Sequence, residues 1–169
     1  LLTRMPDTAH KETVELIVVA IAASAGGLEA TSLLAQNLPL DQNCCYVIAQ
    51  HMAPSHKSML VQLLARETSL RVEQLDHATR PTNDTVYIPP PGQDVIFEDG
   101  LLQLREPSAN AATPKPCADR LFKSVAEEKG ENAIGVVLSG TGSDGSYGVQ
   151  SIREYGGITV AQEPDSCKY

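Results

Sequence analysis

Apolar residues in this chain come in short unbroken runs, and most of the runs are followed by a helical pattern. Ile17-Val18-Val19-Ala20-Ile21-Ala22 has no polar position, as expected of a strand buried on both faces rather than one with a wet side. It predicts a first strand over residues 16–22. Leu28, Leu33, Leu34 and Leu38 then recur at helical spacing up to Pro39. Cys44-Cys45-Tyr46-Val47-Ile48-Ala49 predicts a second buried strand, ending at Gln50-His51-Met52-Ala53-Pro54. Ser55 stands where an N-cap belongs for a helix carrying Met59, Leu60, Leu63 and Leu64. Strand, helix, strand, helix predicts parallel pairing through right-handed crossovers.

The middle of the chain changes character. Residues 71–75, 86–88 and 95–97 are short strand candidates, punctuated by Pro89-Pro90-Pro91-Gly92. Glu98-Asp99-Gly100 before Leu101–Leu104 is a hairpin signal, because Asp-Gly suits a tight turn. An antiparallel ribbon at one edge of the sheet is therefore expected. Residues 106–116, rich in Pro, Ala, Ser and Asn, read as a loop. A helix over 118–129 turns Leu121, Phe122 and Val125 inward and stops at Gly130. Ala133–Leu138 is a further buried strand, delivering Ser139-Gly140-Thr141-Gly142-Ser143-Asp144-Gly145, and a helix near 149–155 and a strand over 158–161 close the pattern. The fold class is α/β: a doubly wound, mainly parallel sheet with helices on both faces.

Composition narrows the functions available. With 169 residues, 42% hydrophobic and 20% charged, the chain has enough material for one globular core. A net charge of −8 argues against nucleic acid or an anionic membrane surface as the main partner. The four cysteines show no CxxC spacing, which suits reduced thiols in the cytoplasm. No apolar run is long enough to span a bilayer, and no signal peptide precedes the first strand, so membrane insertion is not expected. Residues 1–15 read as a leader or linker and 16–169 as the folded domain.

Three strands end in a polar group held in a Gly- or Pro-punctuated loop: Ser24, His51 and Asp144. Ligands of open parallel sheets sit beyond the carboxyl ends of the strands, so these loops can share one crevice. A serine needs a base to take its proton, and histidine suits neutral pH. A carboxylate on the other ring nitrogen fixes the tautomer. The order Ser, His, Asp differs from that of the α/β-hydrolases, and the Gly-x-Ser-x-Gly elbow is missing. Blander readings exist for each residue. Ser24 before Gly26-Gly27 can cap its helix or seat a phosphate, His51 can be a hydrogen-bonded loop residue, and Asp144 can stabilise a turn. The 140–145 loop can cradle a phosphate, although it lacks the Lys-Ser/Thr ending of a P-loop. Asp84 and Asp94 are weaker alternatives for orienting His51, and Asp119 reads as a favourable charge in the first turn of its helix. His10, His56 and His77 have no second ligand at metal spacing.

Five blocks fall in an order seen in one family: residues 21–27 (Ile-Ala-Ala-Ser-Ala-Gly-Gly), Gln50-His51-Met52, residues 87–92 (Tyr-Ile-Pro-Pro-Pro-Gly), Asp119-Arg120-Leu121-Phe122 and residues 138–145 (Leu-Ser-Gly-Thr-Gly-Ser-Asp-Gly). The chain resembles the catalytic domain of the chemotaxis protein-glutamate methylesterases, CheB, from Leu16 to its end. The resemblance implies hydrolysis of γ-glutamyl methyl esters on chemoreceptors, and deamidation of receptor glutamines, with no cofactor or metal. By position it makes Ser24 the nucleophile, His51 the general base, Asp144 its orienter, and the backbone N–H groups of Ala25 and Thr141 the oxyanion donors. The family usually has Gly at 22 and often Thr at 25, where this chain has Ala at both. The implied partners are methylated cytoplasmic helices of chemoreceptors. His56-Lys57-Ser58 and the ending from Ala161 are similar to methylesterase modules fused to methyltransferase and sensor-kinase domains. The family's domain continues past residue 169 with a further C-terminal segment. A catalytically silent docking module is the alternative, and a nucleotide-phosphate binder a third reading.

Overall fold

The computed structural model describes residues 13–24, 27–51, 59–110, 116–138 and 144–166. In chain order the elements are β1 (Ile17–Ala23), α1 (Leu28–Asn37), β2 (Cys44–Gln50), α2 (Met59–Glu67), β3 (Arg71–Gln74), β4 (Thr85–Ile88), β5 (Asp94–Glu98), β6 (Leu101–Arg105), α3 (Ala118–Lys129), β7 (Ala133–Val137), α4 (Ser146–Glu154) and β8 (Ile158–Ala161). Ser55 and His56 lie outside the described residues, as does the leader up to residue 12. Glu15, still within the expected leader, pairs with Lys129 at 2.8 Å.

Six strands form one sheet in the order β3-β4-β2-β1-β7-β8, and every neighbouring pair is parallel. The apolar runs take the middle: β2 is buried at all seven positions and β1 at six of seven. The less apolar β3 and β8 lie at the edges, where backbone and side chains meet water. Arg71–Gln74 and Thr85–Ile88 thus joined the main sheet in parallel. The hairpin foreseen at Asp99-Gly100 is present as an antiparallel pair, β5 with β6. It is a separate two-stranded sheet rather than a hydrogen-bonded extension of the large one, and it packs on the α3 side through Val95, Phe97 and Leu102.

Side chains alternate between the two faces of the sheet. On one face, Val19, Ile21, Tyr46 and Ile48 pack with Ala35 of α1 and with Leu60 and Leu64 of α2. On the other, Val18, Ala20, Ala22, Cys45, Val47 and Ala49 pack with Leu121, Phe122, Val125 and Ala126 of α3 and Ile152 of α4. Each large apolar side chain buried this way contributes roughly 1.5–3 kcal/mol. Helices α3 and α4 approach so closely that a Cβ on Gly148 would stand 2.4 Å from Phe122 Cβ. Among the described residues, no helix is long and apolar enough to cross a membrane.

The chain passes from β1 outward to β2 and later returns to place β7 on the other side of β1. The strand order therefore reverses between β1 and β7, and in open α/β sheets ligands bind outside the carboxyl ends at such a point. The ends are fastened to one another. His51 donates its N–H to the Ala23 carbonyl at 2.8 Å, and Leu138 donates to the Ala22 carbonyl at 2.9 Å.

Candidate active site at the carboxyl edge of the sheet

Ser24 is the first residue past β1, and His51 the first past β2. Ala23 pairs with Gln50 in the parallel register, so Ser24 and His51 stand side by side on neighbouring strands, which run about 4.8 Å apart. Continuing the alternation of β1 and β2, both belong to the row of Ala22 and Ala49, on the α3 face. The Ser24 carbonyl accepts the Gly27 N–H at 2.8 Å and the Gln50 amide Nε2 at 2.5 Å. The N-cap of α1 is Gly27, three residues on, so Ser24 is not the residue capping that helix. Ala25 and Thr141 lie outside the described residues.

His51 and Asp144, 93 positions apart, meet at 2.8 Å between Nε2 and Oδ2, with side chains 21% and 6% exposed. The Pro116 carbonyl also faces Nε2, at 3.0 Å. A carboxylate and a carbonyl only accept, so Nε2 carries the ring proton and Nδ1 is left as the basic nitrogen of the neutral imidazole. Asp144 does more than hold the ring. Its Oδ2 accepts the Ala118 N–H at 2.8 Å and its Oδ1 the Asp119 N–H at 3.0 Å. It thereby supplies from another segment the cap that α3 lacks at Cys117. Burial works to raise the Asp144 pKa, but the bonds from His51, Ala118 and Asp119 outweigh it and hold the carboxyl below its ordinary value. Gly145, at φ +98°, makes the turn that separates this carboxylate from α4.

The other carboxylates have different duties from those read in the sequence. Asp119 does not act only on its own helix: it reaches across to α4 and accepts the Gly148 N–H at 2.7 Å. Burial raises its pKa and the charge of Asp144 adds to that, against the lowering effect of the Gly148, Gly145 and Tyr147 N–H groups. Asp94 is not a partner of His51. It is buried, accepts the Cys117 N–H at 2.8 Å and pairs with Arg120 at 3.2 Å, fixing the start of α3. Asp84 lies at the amino edge of the sheet, where it accepts the Asp41 N–H. His77 is exposed and pairs with Asp76. Cys117 places Sγ 3.9 Å from Asp144 Oδ1, and burial pushes its thiol pKa up.

The sequence reading named Gln50 in the Gln50-His51-Met52 block but gave it no role. An amide closing an otherwise apolar, buried run was the available signal. Its Oε1 accepts the Thr31 hydroxyl at 2.6 Å, so one buried side chain ties β2 to α1 and to the Ser24 carbonyl. Beside it a slot of about 30 Å³ is lined by Ile88, the 89–92 loop and Pro116. A larger groove of about 440 Å³ opens elsewhere, between α1 and β8. It lies on the face opposite α3, away from His51 and Asp144.

These features define a class: a parallel α/β domain with a histidine–aspartate pair and a neighbouring serine at the topological switch of its sheet. Comparison with known proteins narrows it. Residues 19–169 match the family model for CheB methylesterase, and the chain belongs to that family. It is 36% identical over 150 residues to protein-glutamate methylesterase FrzG of Myxococcus xanthus, a match spanning 88% of this chain and 45% of the relative. It is 31% identical over 157 residues to a protein-glutamate methylesterase/protein-glutamine glutaminase of Archaeoglobus fulgidus, spanning 89% and 44%. The catalytic domain of Thermotoga maritima CheB methylesterase has the same fold, with a TM-score of 0.82 and 26% identity over 92% of this chain and 84% of that one. The chain thus spans under half the length of the curated relatives it matches.

Proposed function

We propose that this domain hydrolyses γ-glutamyl methyl esters, and deamidates glutamines, on the cytoplasmic helices of chemoreceptors. Ser24 is the nucleophile, His51 the base and Asp144 its orienter. The observation that carries the reading is the placement of His51: Nε2 is committed to Asp144, and Ser24 is its register neighbour across the β1–β2 ladder. Nδ1, the ring nitrogen nearer the backbone, suits a hydroxyl on the adjacent strand, whereas the far nitrogen suits a carboxylate arriving from the turn before α4. The names of the relatives support the substrate class.

Ser24 Oγ gives its proton to His51 Nδ1 and bonds to the ester carbon. The oxyanion is held by backbone N–H groups, for which Ala25 and Thr141 are the proposed donors. As the C–OCH₃ bond breaks, His51 returns the proton to the leaving methoxide and methanol departs. Water then gives a proton to His51 and its oxygen to the acyl carbon, and Ser24 recovers its proton as the glutamate carboxylate leaves. For a glutamine the leaving group is ammonia. For the loop before α4 the phosphate reading loses ground, because the Asp119 carboxylate already occupies the N-terminus of that helix.

Replacing Ser24 with Ala should abolish methanol release from methylated receptor in the intact protein while leaving the circular dichroism spectrum unchanged. A sulfonyl fluoride should label the wild type at Ser24. Retained methanol release by Ser24→Ala overturns the proposal, and an unreactive serine in a folded protein favours a docking module instead.

A further inference from the structure

Two helices begin side by side at this site, and each is capped by a carboxylate belonging to the other's segment. Asp144, just before α4, accepts the first-turn N–H groups of Ala118 and Asp119 in α3. Asp119, in the first turn of α3, accepts the Gly148 N–H in α4 and is held also by the N–H groups of Gly145 and Tyr147. The arrangement closes a loop of contacts: Asp144 to the α3 backbone, along one residue to the Asp119 side chain, and from there to the backbone of α4, which Gly145 joins to Asp144. Phe122 wedges the pair at its inner end, where Gly148 leaves no room for a Cβ.

We infer that Asp119 is a positioning residue for His51, acting through Asp144, and that the exchanged caps set the carboxylate's distance from the imidazole. The inference rests on the Ser24–His51–Asp144 reading. Asp144 is joined through Gly145 to the start of α4. The start of α4 is in turn fastened to α3 by Asp119. Asp119 does not contact His51, and its charge is held away from the ring by its own bonds to α4. Removing the Asp119 carboxylate strands N–H donors at the head of α4 and lets the Asp144 turn shift outward. The His51 Nε2 proton then divides its time between Asp144 and the Pro116 carbonyl, 3.0 Å away, and the tautomer that leaves Nδ1 basic is less firmly held. A displacement near 1 Å costs about a hundredfold in rate in sites of this kind.

The test compares wild type, Asp119→Ala, Asp119→Asn and Asp144→Ala in the intact protein. It measures kcat and KM for methanol release and, separately, the ¹⁵N shifts of the His51 ring, which report the tautomer. Asp119→Ala is expected to lower kcat about 10- to 100-fold, with KM changed by less than about threefold, and to move the ring shifts toward those of Asp144→Ala. Asp119→Asn keeps Oδ1 for the Gly148 N–H and is expected to lose less. A lower melting temperature with unchanged kcat and ring shifts would show a purely structural cap and overturn the inference. A fall in kcat with unchanged ring shifts would overturn it too, since the effect would not pass through His51. Ring shifts that move while methanol release does not would uphold the positioning and sink the assignment of His51 as the base.

Discussion

Asp144→Ala removes one carboxylate, leaves the Ala118 and Asp119 N–H groups without that acceptor, and leaves His51 Nε2 with the Pro116 carbonyl alone. The loss of a helix cap costs about 1 kcal/mol in most helices. A hydrogen bond to a charged group is worth about 1.5–3 kcal/mol. The side chain is only 6% exposed, so water replaces these bonds poorly, whereas its absence also removes the cost of burying a charge. Together these place the destabilisation at about 3 kcal/mol. With a urea m-value of about 2 kcal/mol/M, the midpoint falls by about 1.5 M. Equilibrium unfolding in urea, followed by circular dichroism, measures it directly. Asp144→Asn, which keeps one carbonyl oxygen, should lose less stability but still lower kcat steeply; the corresponding change in a serine protease costs about 10⁴-fold. The two observables should therefore separate: stability follows the cap, and turnover follows the charge opposite Nε2. A midpoint shift below about 0.3 M for Asp144→Ala would refute the account of α3 as a helix capped from outside. Turnover by Asp144→Asn within tenfold of wild type would refute the role given to the charge.

Three further outcomes are expected. The folded-state pKa of Asp144 lies below its ordinary value, so its contribution is present above about pH 3.9 and lost as pH falls through the folded value; the stability gap between wild type and Asp144→Asn should be level from pH 7 to 5 and shrink below pH 4, and a gap that widens on acidification refutes the sign. Gly148→Ala places a methyl 2.4 Å from Phe122 Cβ and should cost about 1–3 kcal/mol, with a melting temperature unchanged within 1 °C counting against the close α3–α4 contact. Cys45 is fully buried and its thiol is pushed up to about 12 by burial, so it should resist iodoacetamide at pH 8 until the protein unfolds, as peptide mapping would show.

The apolar runs of β1, β2 and β7 carry their own assignment, because a strand covered on both faces tolerates five to seven residues in a row without a polar one. Those runs, with Gly and Pro at their ends, also put Ser24, His51 and Asp144 at loops on one edge of a parallel sheet, and five ordered blocks named the family. The residues that failed to disclose themselves are the ones whose partners lie far along the chain. Arg71–Gln74 and Thr85–Ile88 are too short to declare parallel pairing, and the side on which the β5–β6 ribbon packs depends on the surface of α3 that receives it. Asp119 and Asp94 look like ordinary helix and strand-end charges. Nothing local says that one caps α4 and the other holds Cys117 and Arg120. Hydrophobic period and chain punctuation are local properties, so the sequence by itself determined the buried strands, the parallel centre of the sheet and the edge at which Ser24, His51 and Asp144 lie. The choice of ring nitrogen facing Asp144, and the exchange of caps between α3 and α4, were decided only by the tertiary structure, because each depends on which helix N-terminus lies opposite which carboxylate once the sheet has closed its two faces.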